Sequence, residues 1–240
     1  MNYFKRLFSK RNNGGFTLIE VVISVGLLGI LLVAMTAFVS PILQASNDTQ
    51  TDIRANILAE TIESYIDRSV KVAKYISIFT DVDNKADVLT DPNLTALEGY
   101  LTDPSYEIRC IGINWMDDER TNEQKYMLNL WKVTPGSGNH VDISAPNKVF
   151  DECFYEGLFP KVIIEPVSGA PTIKITLNVY NNDLMTDGNE AMIGDGYIQL
   201  LNLMYVESSK VTDYLKIKSK GGSSEHPDTY IFYVARKYLS

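Results

Sequence analysis

A long apolar run near the amino terminus constrains this chain more than any other feature. Residues 16–39 are 24 in number, and only four of them are polar: Thr17, Glu20, Ser24 and Thr36. As an α-helix rising ~1.5 Å per residue, the run is about 36 Å long, which is enough to cross a hydrocarbon layer of ~30 Å. The sequence therefore predicts a membrane-length helix, followed by about 200 residues of ordinary globular composition.

The charges on the two sides of the apolar run indicate its orientation. Four basic residues precede it, and residues 46–52 after it carry acids and no base; the basic residues are Lys5, Arg6, Lys10 and Arg11. The positive-inside rule then places the amino terminus in the cytoplasm and the bulk of the chain outside. Without these four, 18 basic and 30 acidic residues remain, a net charge of −12. Such a body repels nucleic acid, so no nucleic-acid partner is expected.

Glu20 argues against the two simplest interpretations of the run. A secretory signal peptide would be cut after the run at small residues, but the candidate Leu43-Gln44-Ala45 begins with a bulky side chain. A plain signal anchor would leave the Glu20 carboxylate unpaired within lipid, at a cost of about 3 kcal/mol. A partner for this carboxylate is therefore expected.

The stretch Gly15-Phe16-Thr17-Leu18-Ile19-Glu20, after a short basic leader, resembles the class III signal of type IV prepilins and pseudopilins. The resemblance implies that a membrane-embedded prepilin peptidase cuts between Gly15 and Phe16, removes residues 1–15 and methylates the new amine of Phe16. It also implies other pilin subunits and an assembly platform in the inner or cytoplasmic membrane as partners. Glu20 becomes the fifth mature residue, which in this family meets the amino terminus of a neighbouring subunit.

Elementary electrostatics agrees with that role for Glu20. An α-amine has a reference pKa of about 8 and is cationic near neutral pH. Opposite charges attract strongly among packed apolar helices, while either charge left unpaired is heavily penalised. Docking that pairs the two charges can therefore select the register of assembly.

The helix is predicted to run over residues 16–79, with residues 16–39 in the membrane or the filament core. Beyond Pro41 the apolar residues recur at helical spacing, at Ile53, Ile57, Ile62, Tyr65, Ile66, Val70, Ala73 and Ile76. A separate helix in the outer domain is the alternative. The expected weak points are Gly26, Gly29 and Pro41. Many major pilins have a proline at the position of Ala37, so the shift to Pro41 leaves the filament packing open.

Residues 80–240 are predicted to form an extracellular, β-rich head. After a turn-rich, acidic loop at 80–100, strand-like runs occur at 106–113, 126–133, 148–154, 161–165, 172–180, 197–206 and 229–235. No helix-length pattern separates them, which favours an antiparallel sheet. The predicted fold class is α+β and pilin-like: a long amino-terminal helix packed on a carboxy-terminal antiparallel sheet.

Other candidate sites in the head are weak. Cys110 and Cys153 allow one disulfide, with two unpaired core cysteines as the open alternative, and they match no metal motif. Residues 136–140 suggest a turn rather than a phosphate loop, and residues 183–195 a surface loop rather than an ion site. His140 and His226 lie in polar loops, and nothing indicates a Ser/His/Asp site. No cofactor, metal or enzymatic activity is expected.

These observations together predict a structural subunit of a bacterial type IV pilus, held in the cytoplasmic membrane before assembly and exported as part of a surface filament. The head of about 160 residues is large for a repeating major subunit, which favours a minor or tip pilin. A pseudopilin of a type II secretion or competence DNA-uptake system is the alternative, and a membrane-anchored enzyme is a distant third.

Overall fold

The computed structural model describes residues 17–117, 124–136, 141–168, 170–181, 185, 190–204, 206, 210–223 and 226–237. The chain divides into two units, Met1–Gln50 and Thr51–Ser240. The predicted long helix is present as α1, Leu18–Val70, and its residues belong partly to each unit. A sheet-rich head follows, so the predicted α+β, pilin-like fold class is confirmed.

In the first unit, α1 is predominantly apolar on every side up to Leu43. All of residues 17–50 are exposed, including large side chains such as Leu18, Phe38 and Ile42. Two hydroxyl groups within the run donate back to the helix: Ser24 to the carbonyl of Glu20 at 2.7 Å, and Thr36 to that of Val33 at 2.9 Å. The helix continues through Pro41. A helix that is hydrophobic all round requires burial in lipid or among other helices.

In the second unit, one stripe of α1 packs into the core. The buried residues are Ala55, Leu58, Ala59, Ile62, Ile66 and Val70, at three- and four-residue steps. Ile53 and Ile57, predicted to lie on this face, are about half exposed. The stripe is therefore rotated from the one predicted, because small alanines at 55 and 59 allow close packing where isoleucines were expected to fill the contact.

The helix ends at Val70, not at Phe79 as predicted, and Ile76–Val82 forms strand β1. Val70, Ala73 and Ile76 keep a helical spacing, so periodicity alone misplaced the boundary. β1 inserts into the sheet, where Ile76 lies opposite Tyr233 and the amide of Lys74 donates to the carbonyl of Val234 at 3.0 Å. Strand pairing of this isoleucine- and phenylalanine-rich segment outweighs its modest helix preference.

The described strands of the head form two sheets. The main sheet has the order β4-β3-β2-β10-β1-β9, with β5 also paired to β3, and the small sheet has the order β6-β7-β8. All pairs are antiparallel except β1 with β9, which is parallel. The remaining strands are β2 Tyr106–Asp117, β3 Gln124–Pro135, β4 Val141–Ile143, β5 Asn147–Lys148, β6 Phe159–Pro166, β7 Thr172–Tyr180, β8 Glu190–Gln199, β9 Leu215–Ser219 and β10 Asp228–Arg236.

The main sheet is buried on both faces. One core combines the α1 stripe and the small sheet with residues such as Ile78, Ile111 and Ile231. A second core, on the opposite face, packs Phe79 and Phe232 beneath Val88, Leu94 and Leu97. These last three lie in the segment predicted as a loop, which instead forms α2 Lys85–Leu89, a 3₁₀ helix Pro92–Leu97 and α3 Glu98–Leu101.

Two predicted strands are wrong in part. Of residues 148–154, only Lys148 is strand, as the last residue of Asn147–Lys148. Glu152–Tyr155 is a 3₁₀ helix whose start is capped by the Asp151 carboxylate, which accepts from the Cys153 amide at 3.0 Å. The strand predicted at 197–206 ends at Gln199, followed by a 3₁₀ helix Leu201–Leu203; a last short helix, α4, is Val211–Tyr214. At Asp151, a local side-chain cap therefore stops extended structure where the apolar pattern continues.

A buried carboxylate joins the covering segment to β9. Asp91 is 5% exposed, and its Oδ2 accepts from Lys218 Nζ at 2.8 Å and from Lys220 Nζ. Its Oδ1 accepts from the amide of Asn93 at 2.9 Å. Burial by itself raises the pKa of Asp91, but the hydrogen bonds from Lys218 and Lys220 outweigh it and lower the pKa to about 2.

Candidate functional site

The start of α1 is closed by reciprocal hydrogen bonds between Thr17 and Glu20. Thr17 immediately precedes the first helical residue, and its hydroxyl accepts from the Glu20 amide at 3.3 Å. The Glu20 carboxylate reaches back and accepts from the Thr17 amide at 2.9 Å and from the Thr17 hydroxyl at 2.8 Å. This is a capping box, in which a threonine and a glutamate three residues later satisfy donors that a helix start leaves open.

The capping box holds the Glu20 carboxylate in place through one of its two oxygens and leaves the other available. Both bonds to Glu20 end on Oε2, and the side chain is exposed. Oε1 therefore remains the oxygen best placed to accept from another chain. The negative charge also lies in the first turn of the helix, where the helix dipole favours it.

The surroundings of Glu20 are otherwise apolar. α1 contains a stretch long and apolar enough to cross a membrane, and none of that stretch is covered by the protein. Glu20 is the one acidic or basic residue in positions 16–39. A single carboxylate on an uncovered apolar helix becomes costly once the helix is surrounded by lipid or by other helices, unless a cation meets it.

The predicted weak points lie within this helix. Gly26 and Gly29 have open space where a Cβ would stand, with no atom within 4 Å, so packing within the chain does not require glycine there. Pro41 is enclosed in continuous helix. Their role in a filament stays a prediction.

Several predicted site residues lie outside the part of the chain that the structure describes. These are Gly15 and Phe16 with the whole leader, His140 in the 136–140 turn, and residues 183, 184 and 186–189 of the predicted 183–195 loop. The end of that loop is not a loop: Glu190–Gln199 is strand β8, and Asp195 on it pairs with Lys174 at 3.1 Å. Among the described residues, no cluster of three or more His, Cys, Asp or Glu side chains is arranged to hold a metal.

His226 packs as an aromatic residue. Its ring stacks on Trp115 with centroids 3.8 Å apart and planes inclined by 16°. Tyr126 approaches both rings at its edge, at 5.1 Å from Trp115 and 6.3 Å from His226. The contact is a hydrophobic one at the end of the main sheet.

The two cysteines are separate thiols in the structure, so the candidate disulfide is not formed there. Cys110 points into the second core and is fully buried, whereas Cys153 is exposed on the 3₁₀ helix after β5. Burial raises the pKa of the Cys110 thiol well above its ordinary value.

This difference predicts selective labelling. In the native chain, Cys153 should react with a thiol reagent on the order of 10³-fold faster than Cys110, which becomes accessible only when the second core opens. Peptide mapping after timed labelling measures both rates. After unfolding without reductant, both thiols should react; two unreactive cysteines would show that they form a bridge.

The capping box was the site feature that sequence reasoning missed. Thr17 is a polar interruption of the apolar run, and the spacing Thr-x-x-Glu before an apolar helix is the sequence signature of a capping box. The spacing therefore predicts this bond within the chain, beside the charge partner expected in another subunit.

Comparison with known families supports the interpretation of this amino terminus. The family described as the prokaryotic N-terminal methylation motif matches residues 10–36. No curated protein and no solved structure matches the chain. The match spans the end of the basic leader from Lys10, the Gly15–Phe16 junction, the capping box and the first turns of α1. The chain therefore carries, at its amino terminus, the class III signal of type IV pilin-like and pseudopilin precursors.

Proposed function

We propose that the chain is a structural subunit of a type IV pilus, a minor or tip pilin, processed by prepilin peptidase and assembled through α1. The observation that carries the proposal is the exposed apolar helix with a single, capped carboxylate in its first turn, within the methylation motif. The helix needs apolar surroundings, and the carboxylate needs a cation that lipid does not supply.

Processing would supply that cation. Cleavage between Gly15 and Phe16 creates an α-amine two residues before the start of α1, and methylation keeps it basic. The amine of one subunit can then bond Oε1 of Glu20 in a neighbour while Oε2 stays in the capping box. Charge-assisted bonds of this kind are strong in an environment without water.

Before assembly, the proposed subunit is anchored in the membrane by α1. The apolar helix and the motif fit membrane anchoring before assembly. With the basic leader in the cytoplasm, residues 51–240 lie outside, and extraction of α1 into a helix bundle carries the head to the cell surface.

The size of the mature chain favours a minor subunit over a major one. After removal of 15 leader residues from 240, about 225 remain, and its head buries a sheet on both faces. A pseudopilin of a type II secretion or competence DNA-uptake system is the second candidate, because the same motif opens both kinds of subunit.

Mass spectrometry of the chain from membranes and from sheared filaments tests the proposal. We expect a mature chain that begins at methylated Phe16, present in filaments at a small fraction of the main subunit. A mature chain that begins at any other residue would reject processing by prepilin peptidase. A correctly processed chain confined to the membrane, in cells that make filaments, would favour the pseudopilin.

A further inference from the structure

Among the described residues, β9 and β8 each end a sheet, as β4 and β6 do at the opposite ends, so no other described strand covers their outer edges. β9 is last in the order of the main sheet, and β8 is last in the small sheet. A free edge presents a row of backbone N–H and C=O groups that can pair with a strand from another chain. The edge of β9 opens into a groove of about 570 Å³.

The groove is basic on an acidic protein. It is lined by Asn93, the β6–β7 turn, the start of α4 and β9 from Leu215 to Lys218. Lys216 and Lys218 are its charged residues, and none of the lining residues is acidic. Lys218 already bonds Asp91, so Lys216 carries the charge offered to a partner.

β8 is acidic and therefore complementary in charge to the basic groove. It contains two acids, Glu190 and Asp195, and no base. On its outward face Ile193 is 62% and Tyr197 66% exposed, one on each side of Asp195. Asp195 is half exposed and pairs with Lys174 on the neighbouring strand at 3.1 Å. Such surface pairs hold their partners weakly, so the carboxylate can be shared with a second lysine.

We propose that β8 of one copy of this chain pairs with the outer edge of β9 in a second copy. Asp195 then approaches Lys216, and Ile193 and Tyr197, which lie on the same face of β8 as Asp195, pack along the Lys216 side of the groove. Main-chain bonds along the strand provide affinity, and the alternating side chains select the register.

The contact uses two different surfaces, so after pairing one copy still offers its β9 edge and the other copy its β8 edge. Heterologous contacts of this type extend into open assemblies rather than closing into dimers. The inference rests on the proposed function, because a filament subunit is the setting in which heads are held side by side.

Disulfide trapping between two tagged forms of the full chain in detergent micelles tests the pairing. Both forms carry Cys153→Ser; one adds Thr212→Cys at the groove and the other Gln199→Cys on β8, both exposed positions. We expect a doubly tagged, cross-linked product. A matched mixture replaces Gln199→Cys by Lys132→Cys, an exposed position on β3, and should give roughly tenfold less. Equal yields from the two mixtures would overturn the proposal.

A charge exchange tests the role of Lys216. Lys216→Glu on the groove form should lower the yield roughly tenfold, because a repulsive pair replaces an attractive one, and Asp195→Lys on the other form should restore it. Lys132→Glu on the groove form is the control and should leave the yield unchanged. An unchanged yield with Lys216→Glu, or no recovery with the exchange, would reject the proposed register.

The two proposals fail separately. If the chain is abundant in filaments but gives no 199–212 product there, the pairing of β8 with β9 is rejected and the pilin role stands. If the product forms in micelles but the processed chain never enters filaments, the pilin role is rejected and the pairing stands.

Discussion

Glu20→Gln is expected to lower incorporation into filaments by more than about tenfold, because an amine buried among helices without its carboxylate costs about 3–5 kcal/mol. Membrane insertion and cleavage should remain intact, because neither needs the charge, and lipid accepts the neutral amide more readily. The measurement compares the amounts of processed chain in the membrane fraction and in sheared filaments.

The capping box makes this substitution unusually clean. Glutamine can serve at the third helical position of a capping box as glutamate does, so Glu20→Gln removes the charge and keeps the cap. Thr17→Ala is the matched control, because it removes the hydroxyl and keeps the charge; its incorporation should stay within a few-fold of the wild type. Glu20→Asp should fall between the wild type and Gln, because it retains the charge but shortens its reach by one methylene.

Two results of this comparison of Glu20 and Thr17 variants would contradict the proposed role of the Glu20 charge. If Gln and wild type enter filaments equally while Thr17→Ala fails, the cap rather than the charge is what assembly requires. Equal incorporation of all four forms would show that contacts elsewhere on α1 set the register of docking.

Asp91→Asn is expected to destabilise the head by about 3 kcal/mol at neutral pH, because it leaves the ammonium groups of Lys218 and Lys220 without a counterion. Thermal unfolding of the full chain in detergent should show a fall in Tm of about 5–10 °C. Asp213→Asn, an exposed acid on α4, is the matched control and should lie within about 0.5 kcal/mol of the wild type.

The same carboxylate predicts a pH dependence. The folded pKa of Asp91, about 2, lies below the ordinary value of 3.8, so its contribution is fully present above about pH 4 and is lost as the pH falls towards 2. The shift corresponds to about 2 kcal/mol. The gap in Tm between wild type and Asp91→Asn should therefore narrow over this range. If the difference in Tm between wild type and Asp91→Asn is constant from pH 7 to pH 2.5, the charge of Asp91 is not what stabilises the head.

The sequence predicted the membrane-length helix and its signal because both are local patterns. An apolar run and the residues from Gly15 to Glu20 need no knowledge of distant contacts. The cap at Thr17 was equally local and could have been predicted. The α+β class followed from counting strands, and the strands at 106–113, 126–133, 172–180 and 229–235 all lie within observed ones.

The errors arose where distant segments decide the local structure. Ile76–Phe79 fits a helix by spacing, and its place between β9 and β10 makes it a strand. Val88, Leu94 and Leu97 lie among acids and prolines that indicate a loop, but the outer face of the sheet gives these three side chains a core to enter. Lys218 and Lys220 meet Asp91 from more than a hundred residues away, which no pattern within one segment could indicate.

The bonds between Thr17 and Glu20 also bear on how such a helix could leave a bilayer. Ordinarily the first turn of a helix relies on water for its open N–H groups, and losing that water is a barrier to moving the turn through apolar surroundings. Here the chain supplies two of those bonds itself, so the turn keeps the same local structure in lipid and among protein helices. The first turn of α1 in the bilayer and the same turn in a helix bundle would then differ chiefly in the group that Oε1 of Glu20 faces. A helix that begins in this way could pass in either direction without refolding its first turn.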